Sequence, residues 1–198
     1  MHDRSNGWES VAERFIAERS SIGAATVRSW SRALPEGAEV LDLGCGFGAP
    51  IAELLVGEGH RVFGVDASPA MLAAMRRRLP TVRVACEPVE ESRFFDQRFD
   101  GVVAIGLLFL LLPEVQRGVI RRVAAALKPR GRFLFTAPVE AGSWADLLTG
   151  RQSVSLGDSG YGEALQDAGL TIVGEEEDEG GNHYYDAVND RPARDSES

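Results

Sequence analysis

Cysteine, histidine and net positive charge are all scarce in this 198-residue chain, and each shortage excludes something. Two cysteines, Cys45 and Cys86, cannot form the disulfide framework of a small secreted domain, so a reducing cytoplasm is the expected location. They have no metal-ligand spacing, and no metal site is expected. A formal net charge of −9 argues against a surface built to grip nucleic acid phosphates. The short basic runs Arg76-Arg77-Arg78 and Arg121-Arg122 fall in predicted helices, where they cover a solvated face. Long apolar runs are absent too. The longest, Gly101 to Leu112, is far below the roughly 18 residues a membrane-spanning helix needs, so no membrane association is expected. The first seven residues are polar and read as a flexible N-terminus, not a signal peptide. There is no internal repeat.

What is present is an ordinary globular composition, 44% hydrophobic and 26% charged, long enough for one domain with a substantial core. Trp8, Val11, Ala12, Phe15, Ile16 and Arg19 fall on one stripe of a helix. A second helical stretch, 22–34, ends at Pro35-Glu36-Gly37. Strands follow at 39–43, 61–65, around Val82 and Val84, at 99–105 and at 132–137, with a helical pattern after each of the first two and the fourth. Ser68-Pro69 supplies a cap and a proline at the first helical position, and Ser159 caps a helix over 161–168. Alternating strands and helices predict a parallel sheet with right-handed crossovers and helices on both faces. The strands predicted at 170–173 and 183–188 are too close for a crossover helix and should form an antiparallel hairpin around an acidic turn. The expectation is an α/β, Rossmann-like three-layer sandwich: a mostly parallel seven-stranded sheet with an antiparallel C-terminal hairpin strand. One domain spans 8–188, with a lid or substrate loop over 139–159, and 189–198 is a disordered tail.

The rest of the chain is organised around Val40-Leu41-Asp42-Leu43-Gly44-Cys45-Gly46-Phe47-Gly48. An apolar strand, alternating glycines and a helix bring bare backbone N–H groups up to a ligand. Gly44-x-Gly46-x-x-Ala49 also fits the dinucleotide fingerprint, and Asp66 lies 20 residues beyond Gly46, where a carboxylate can accept both hydroxyls of a ribose. A nicotinamide-dependent oxidoreductase is therefore one reading. Against it stand the missing second nucleotide-binding half, the extra Gly48 and the closing hairpin.

The same nine residues resemble the first motif of class I S-adenosylmethionine-dependent methyltransferases. Gly64-Val65-Asp66-Ala67-Ser68-Pro69-Ala70-Met71-Leu72 resembles the second. Phe99-Asp100-Gly101-Val102-Val103 and Leu127-Lys128-Pro129-Arg130-Gly131-Arg132 resemble the blocks around the fourth and fifth strands, with Arg130 where the family usually has glycine. The resemblance covers about 36–138 in order and spacing. It implies S-adenosyl-L-methionine as cofactor and S-adenosyl-L-homocysteine as product. It implies that Gly44, Cys45 and Gly46 pass the methionine part of the cofactor and that Asp66 binds the ribose. It also implies that Ala67 and Met71 line the adenine, that Glu87 accepts from the adenine amino group with Pro88 beside it, that Ile105 and Gly106 lie beneath the cofactor, and that Arg19 contacts it. Asp42 either braces the turn or meets the cofactor's ammonium; Glu87 is otherwise a solvated carboxylate, and Met71 otherwise core.

The acceptor side is less defined. Ala104-Ile105-Gly106-Leu107 lacks the acidic or Asn residue and paired prolines of enzymes that methylate adenine, cytosine or glutamine amides, and Ile105 and Thr136 do not match a magnesium-dependent catechol type. A small-molecule acceptor methylated on oxygen or nitrogen is the implied reaction; a cofactor-binding protein without catalysis is the alternative. Phe15, Leu107, Trp144 and Tyr184 are the candidate substrate contacts, and His183 the candidate base, or else a capping or surface residue. Oligomeric state is not legible.

Overall fold

A computed structural model describes residues 4–191, so parts of the expected flexible terminus 1–7 and tail 189–198 lie outside the described residues. Helices α1 (Trp8–Glu18) and α2 (Ala24–Ser31) precede strand β1 (Glu39–Leu43). Then come α3 (Ile51–Gly57), β2 (Arg61–Asp66), α4 (Pro69–Arg78), β3 (Arg83–Cys86) and β4 (Phe99–Ala104). After a short 3-10 turn at Leu108–Leu110 come α5 (Pro113–Ala126), β5 (Leu127–Thr136), the ribbon β6 (Gly142–Ala145) and β7 (Gln152–Ser155), α6 (Gly157–Asp167), β8 (Leu170–Glu177) and β9 (His183–Asn189). The main sheet has seven strands in the order β3-β2-β1-β4-β5-β9-β8; the first five are parallel and β9 is antiparallel to both its neighbours.

The nearly unbroken apolar strands follow from cover on both faces. Side chains alternate across a strand. Val40, Val62, Val103 and Leu134 therefore meet Val27 and Trp30 of α2, Leu55 of α3 and Met75 of α4 on one face. Leu41, Phe63, Val102 and Phe133 meet Val123 of α5 and Leu165 of α6 on the other. Each such buried side chain contributes about 1.5–3 kcal/mol, and the two layers together fix the sheet. The order reverses beside β1, which pairs with β2 on one side and β4 on the other. The crevice beyond the carboxyl ends of β1 and β4 is where an open α/β sheet takes its ligand.

Several local expectations change. Ser159 does not cap α6: the helix starts at Gly157, whose N–H donates to Ser155 Oγ at 3.0 Å while that hydroxyl donates to the Pro138 carbonyl at 2.7 Å. The acidic run is not all turn, because Glu175, Glu176 and Glu177 belong to β8 and pair with Tyr185, Tyr184 and His183. The last strand runs to Asn189, whose amide donates to the carbonyls of Leu127 and Lys128. Segment 139–159 contains the β6–β7 ribbon. Arg130 adopts a left-handed φ of 63°, the conformation that glycine takes without strain.

Gln116 of α5, fully buried, holds the ribbon to the body. Its Nε2 donates to the carbonyls of Leu111 and Val154, and its Oε1 accepts from the Tyr161 hydroxyl, each at 2.8 Å. Gln116→Leu would take a partner away from two carbonyls and from the Tyr161 hydroxyl, at about 1–3 kcal/mol for each that stays dry. We expect a loss of about 2–5 kcal/mol in urea-induced unfolding, with faster hydrogen exchange across 142–155. An unchanged unfolding midpoint would remove Gln116 from this role.

Candidate functional site

At the end of β1 the chain turns sharply under Val65, whose carbonyl accepts from the N–H groups of Gly44 and Cys45 at 2.8 and 3.1 Å. Gly44 and Gly46 both have positive φ, 68° and 52°. A Cβ at Gly44 would meet Leu107 at 3.0 Å, whereas one at Gly46 would face the ring of Phe15 and the sulfur of Met71 at 4.0 and 3.9 Å. Cys45 turns away into the core, against Gly64, where a Cβ would lie 2.7 Å from its sulfur. The turn is held to β2 by Asp66: Oδ2 accepts from Gly46 N–H at 2.9 Å and Oδ1 from Ser68 N–H at 2.8 Å. Ser68 caps α4 as expected, its Oγ accepting from Met71 N–H at 3.2 Å.

Helix α1 closes the opposite wall. Glu9 reaches across to accept from Ala70 N–H at 3.1 Å and from the Ser68 hydroxyl, placing a carboxylate at the positive end of α4. This leaves Trp8 and Phe15, edge to face at 5.2 Å, over a cavity of about 280 Å³. Eleven of the residues singled out in the sequence line it: Phe15, Arg19, Gly44, Gly46, Asp66, Ala67, Met71, Pro88, Ile105, Gly106 and Leu107. Asp42, Cys45 and Glu87 do not; Glu87 instead donates its N–H to the Asp66 carbonyl at 3.1 Å. Trp8, Ser5, Asn6, Glu90 and Asp146 also line the cavity and were not foreseen. Trp8 had been visible only as part of an apolar stripe, and its indole N–H is buried without a partner.

The electrostatics are uneven. Asp42 is buried with no ion pair among the described residues, and desolvation, with Asp66 nearby, pushes its carboxyl up to about 8; Arg19 opposes the shift. Burial also raises Asp66, against the pull of its two backbone hydrogen bonds. Burial lowers Arg19, offset by Tyr184, Asp42 and Asp178 around it.

A second cavity, of about 570 Å³, adjoins the first, and Arg19, Ile105, Gly106 and Phe109 line both. Three expected acceptor-side residues, Trp144, His183 and Tyr184, line the second. His183 Nε2 lies 3.0 Å from Glu175 Oε2. The Tyr184 hydroxyl donates to Asp178 at 3.0 Å, and Asp178 also accepts from the N–H groups of Gly180 and Asn182. Tyr185 points to the other face and stacks on Phe135 at 4.9 Å. Trp144, on the ribbon, packs against Phe109 at 5.6 Å. Among the described residues, no group of three or more His, Cys, Asp or Glu could hold a metal ion, and no helix is long and apolar enough to cross a membrane.

Comparison with known proteins agrees with this geometry. Residues 40–131, from β1 into β5, match the family described as a methyltransferase domain. The carboxy-S-adenosyl-L-methionine synthase of Chromohalobacter salexigens is 39% identical over 117 residues, which is 54% of this chain and 43% of that protein. The trans-aconitate 2-methyltransferase of Variovorax paradoxus is 38% identical over 107 residues, 53% of this chain and 40% of that protein. The chain thus spans less than half the length of these two relatives. The 1,6-didemethyltoxoflavin-N1-methyltransferase of Burkholderia thailandensis, solved with its didemethyltoxoflavin and S-adenosylhomocysteine, superposes with a TM-score of 0.73 at 23% identity, over 93% of this chain and 84% of that one. At that identity the likeness is one of fold. Residues 40–131 of this chain thus resemble a methyltransferase domain, and its fold is shared with an enzyme solved with S-adenosylhomocysteine.

Proposed function

We propose that the chain binds S-adenosyl-L-methionine in the cavity beside the glycine turn and methylates an oxygen or nitrogen of a small molecule in the adjoining cavity. The observation that carries this reading is the shared wall of Arg19, Ile105, Gly106 and Phe109, which puts two ligand-sized spaces next to each other. The trans-aconitate and didemethyltoxoflavin enzymes among its likenesses also act on small molecules by name.

The lining fits the cofactor. Gly46, without a Cβ, leaves room under Phe15 for a chain to pass. Asp66 is fixed by two N–H groups on lone pairs that leave others for a ribose diol. Ala67, Met71 and Pro88 offer apolar walls to a flat base, and the unpartnered Trp8 N–H is a donor awaiting an acceptor. Arg19 suits the cofactor's carboxylate, and Asp42, behind the turn, its cationic end. Glu87, outside the cavity, would act only through the backbone that it holds to Asp66. When bound, the cofactor supplies a methyl group on a sulfonium sulfur: the acceptor's lone pair forms the new bond to carbon, and the sulfur keeps the pair of the bond that breaks. The protein's part is positioning, which can be worth about 7–11 kcal/mol, and removal of the acceptor's proton. We assign that proton to His183, with Glu175 orienting the imidazole.

Calorimetry should find binding of S-adenosylmethionine and S-adenosylhomocysteine but not NADH, and a methyl-donor screen over small metabolites should find an acceptor; cofactor binding without turnover on any acceptor would favour a non-catalytic binder. Asp66→Ala should weaken cofactor binding by more than about tenfold, since each lost hydrogen bond to a carboxylate is worth about 1.5–3 kcal/mol. An unchanged affinity in a folded variant would discredit the ribose assignment.

Proton linkage offers a separate test. With its carboxyl near 8, Asp42 is mostly protonated at neutral pH, and a cation brought beside it favours the charged form. Cofactor binding at pH 7 should therefore release up to about one proton, read from calorimetry in buffers of different ionisation enthalpy. The release should fade above about pH 9, where Asp42 is already charged, and vanish in Asp42→Asn. His183→Asn should lower turnover about 10²–10⁴-fold, the usual worth of a base, and leave cofactor affinity unchanged; equal turnover would return His183 to a surface role.

A further inference from the structure

The chemistry of the second cavity narrows the acceptor. We propose that it takes a cationic amine carried on a flat apolar frame; the inference rests on the methyl-transfer reading only for the later step, in which the ammonium gives a proton to His183 and the freed nitrogen lone pair attacks the methyl carbon. Trp144 is the first ground. It stands on the short β6–β7 ribbon, 38% exposed, with only Phe109 as ring partner, at 5.6 Å and tilted by 40°. A large indole left open on a cavity wall offers a ligand both apolar area and the negative face of its ring. Such a face attracts cations, most strongly where water is partly excluded.

The charges around the wall agree with a cation. Glu140, after β5, and Glu177, at the end of β8, line the same cavity, and their carboxylates have no ion-pair partner among the described residues. The one Lys or Arg among the described lining residues is Arg19, which sits at the junction with the cofactor cavity and has Asp42 and Asp178 around it. An anionic acceptor would therefore face two carboxylates with no uncommitted cation to receive it. An ammonium would face both carboxylates and the indole. Field lines from two like charges at the mouth of a cavity also raise the local concentration of the opposite charge. Acidic residues alone would define no site; here they share a cavity with an exposed aromatic wall, beside the cofactor space.

Phenethylamine and hydrocinnamate share a phenyl ring and a short tether and differ in the sign of the terminal charge. Titrated into the full chain, with and without S-adenosylhomocysteine, phenethylamine should bind at least about tenfold more tightly, with the preference shrinking as salt is added. Glu140→Gln combined with Glu177→Gln, both on exposed side chains that the fold does not depend on, should cut amine affinity several-fold and leave hydrocinnamate equal or improved. Trp144→Ala should weaken phenethylamine as well. Equal or reversed preference, no binding of either probe at millimolar concentration, or an amine affinity indifferent to the double substitution would overturn the proposal. Amine binding in a protein that ignores S-adenosylmethionine would sink the methyl-transfer reading and leave this one standing; cofactor binding with no amine preference would do the reverse.

Discussion

One carboxylate holds the site together. Asp66 ends β2, and its two oxygens take the N–H of Gly46 from the glycine turn and the N–H of Ser68 from the start of α4. Three elements that arrive from different parts of the sequence are thereby fixed to one another by charge-assisted hydrogen bonds, the stronger kind. The glycine turn cannot drift from β2, and α4 cannot drift from either. Glu9 extends the arrangement by one more element, since it docks α1 on the same helix start through Ser68 and Ala70. The cavity exists because these four elements are held apart at fixed distances, with glycine where a side chain would have filled the gap.

The surroundings of the strand ends differ between the two faces of the sheet. On the face of α2, α3 and α4, the layer continues past the strand ends as Arg19, Tyr184 and Asp178, so the space there is polar and charged. On the face of α5 and α6 it continues as Leu107, Phe109 and the ribbon, so the space there is apolar and aromatic. Gly106, with a positive φ and nothing within 4 Å of a Cβ built on it, sits between the two. Its N–H donates to Thr136 Oγ1 at 2.7 Å, which ties the end of β4 to the end of β5 and keeps the passage at a fixed height.

Legibility in the sequence followed the range of the interactions involved. The strands, α4 with its Ser68 cap, and the glycine turn depend on periodicity and on local backbone chemistry, and all of these can be read from neighbouring residues. Asp66 was legible for the same reason: its job is fixed by its distance from Gly46 along one strand-turn-helix unit. Trp8, Asn6 and Asp146 were not legible, because they reach the cavity only after α1 and the ribbon have docked across the sheet edge. The ribbon itself escaped notice because its strands are four residues each and mostly polar, and a long-range hydrogen bond to Gln116 holds it. At Glu87 the structure adds a backbone contact that its sequence position did not reveal, the N–H that donates to the Asp66 carbonyl.

The same distinction separates the two halves of the chemistry. A cofactor common to many enzymes can be held by main-chain groups and one carboxylate, which demand glycines and an aspartate at set spacings and so leave a mark in the sequence. The adjoining cavity is lined instead by side chains that the late segments bring to the carboxyl edge: Trp144 from the ribbon, Glu140 from the stretch after β5, and Glu177 and His183 from the closing hairpin. No spacing rule connects these four, because they are brought together by the antiparallel insertion of β9 between β5 and β8 and by the docking of the ribbon on α5. The hairpin register then decides which groups face the space: pairing Glu177 with His183 and Glu175 with Tyr185 places the imidazole within reach of Glu175. A slip of one residue would send His183 to the opposite face and bring Tyr184 to its place. The lining of the second cavity is therefore a property of strand register and ribbon docking, whereas that of the first is largely set by a single turn and the strand beside it.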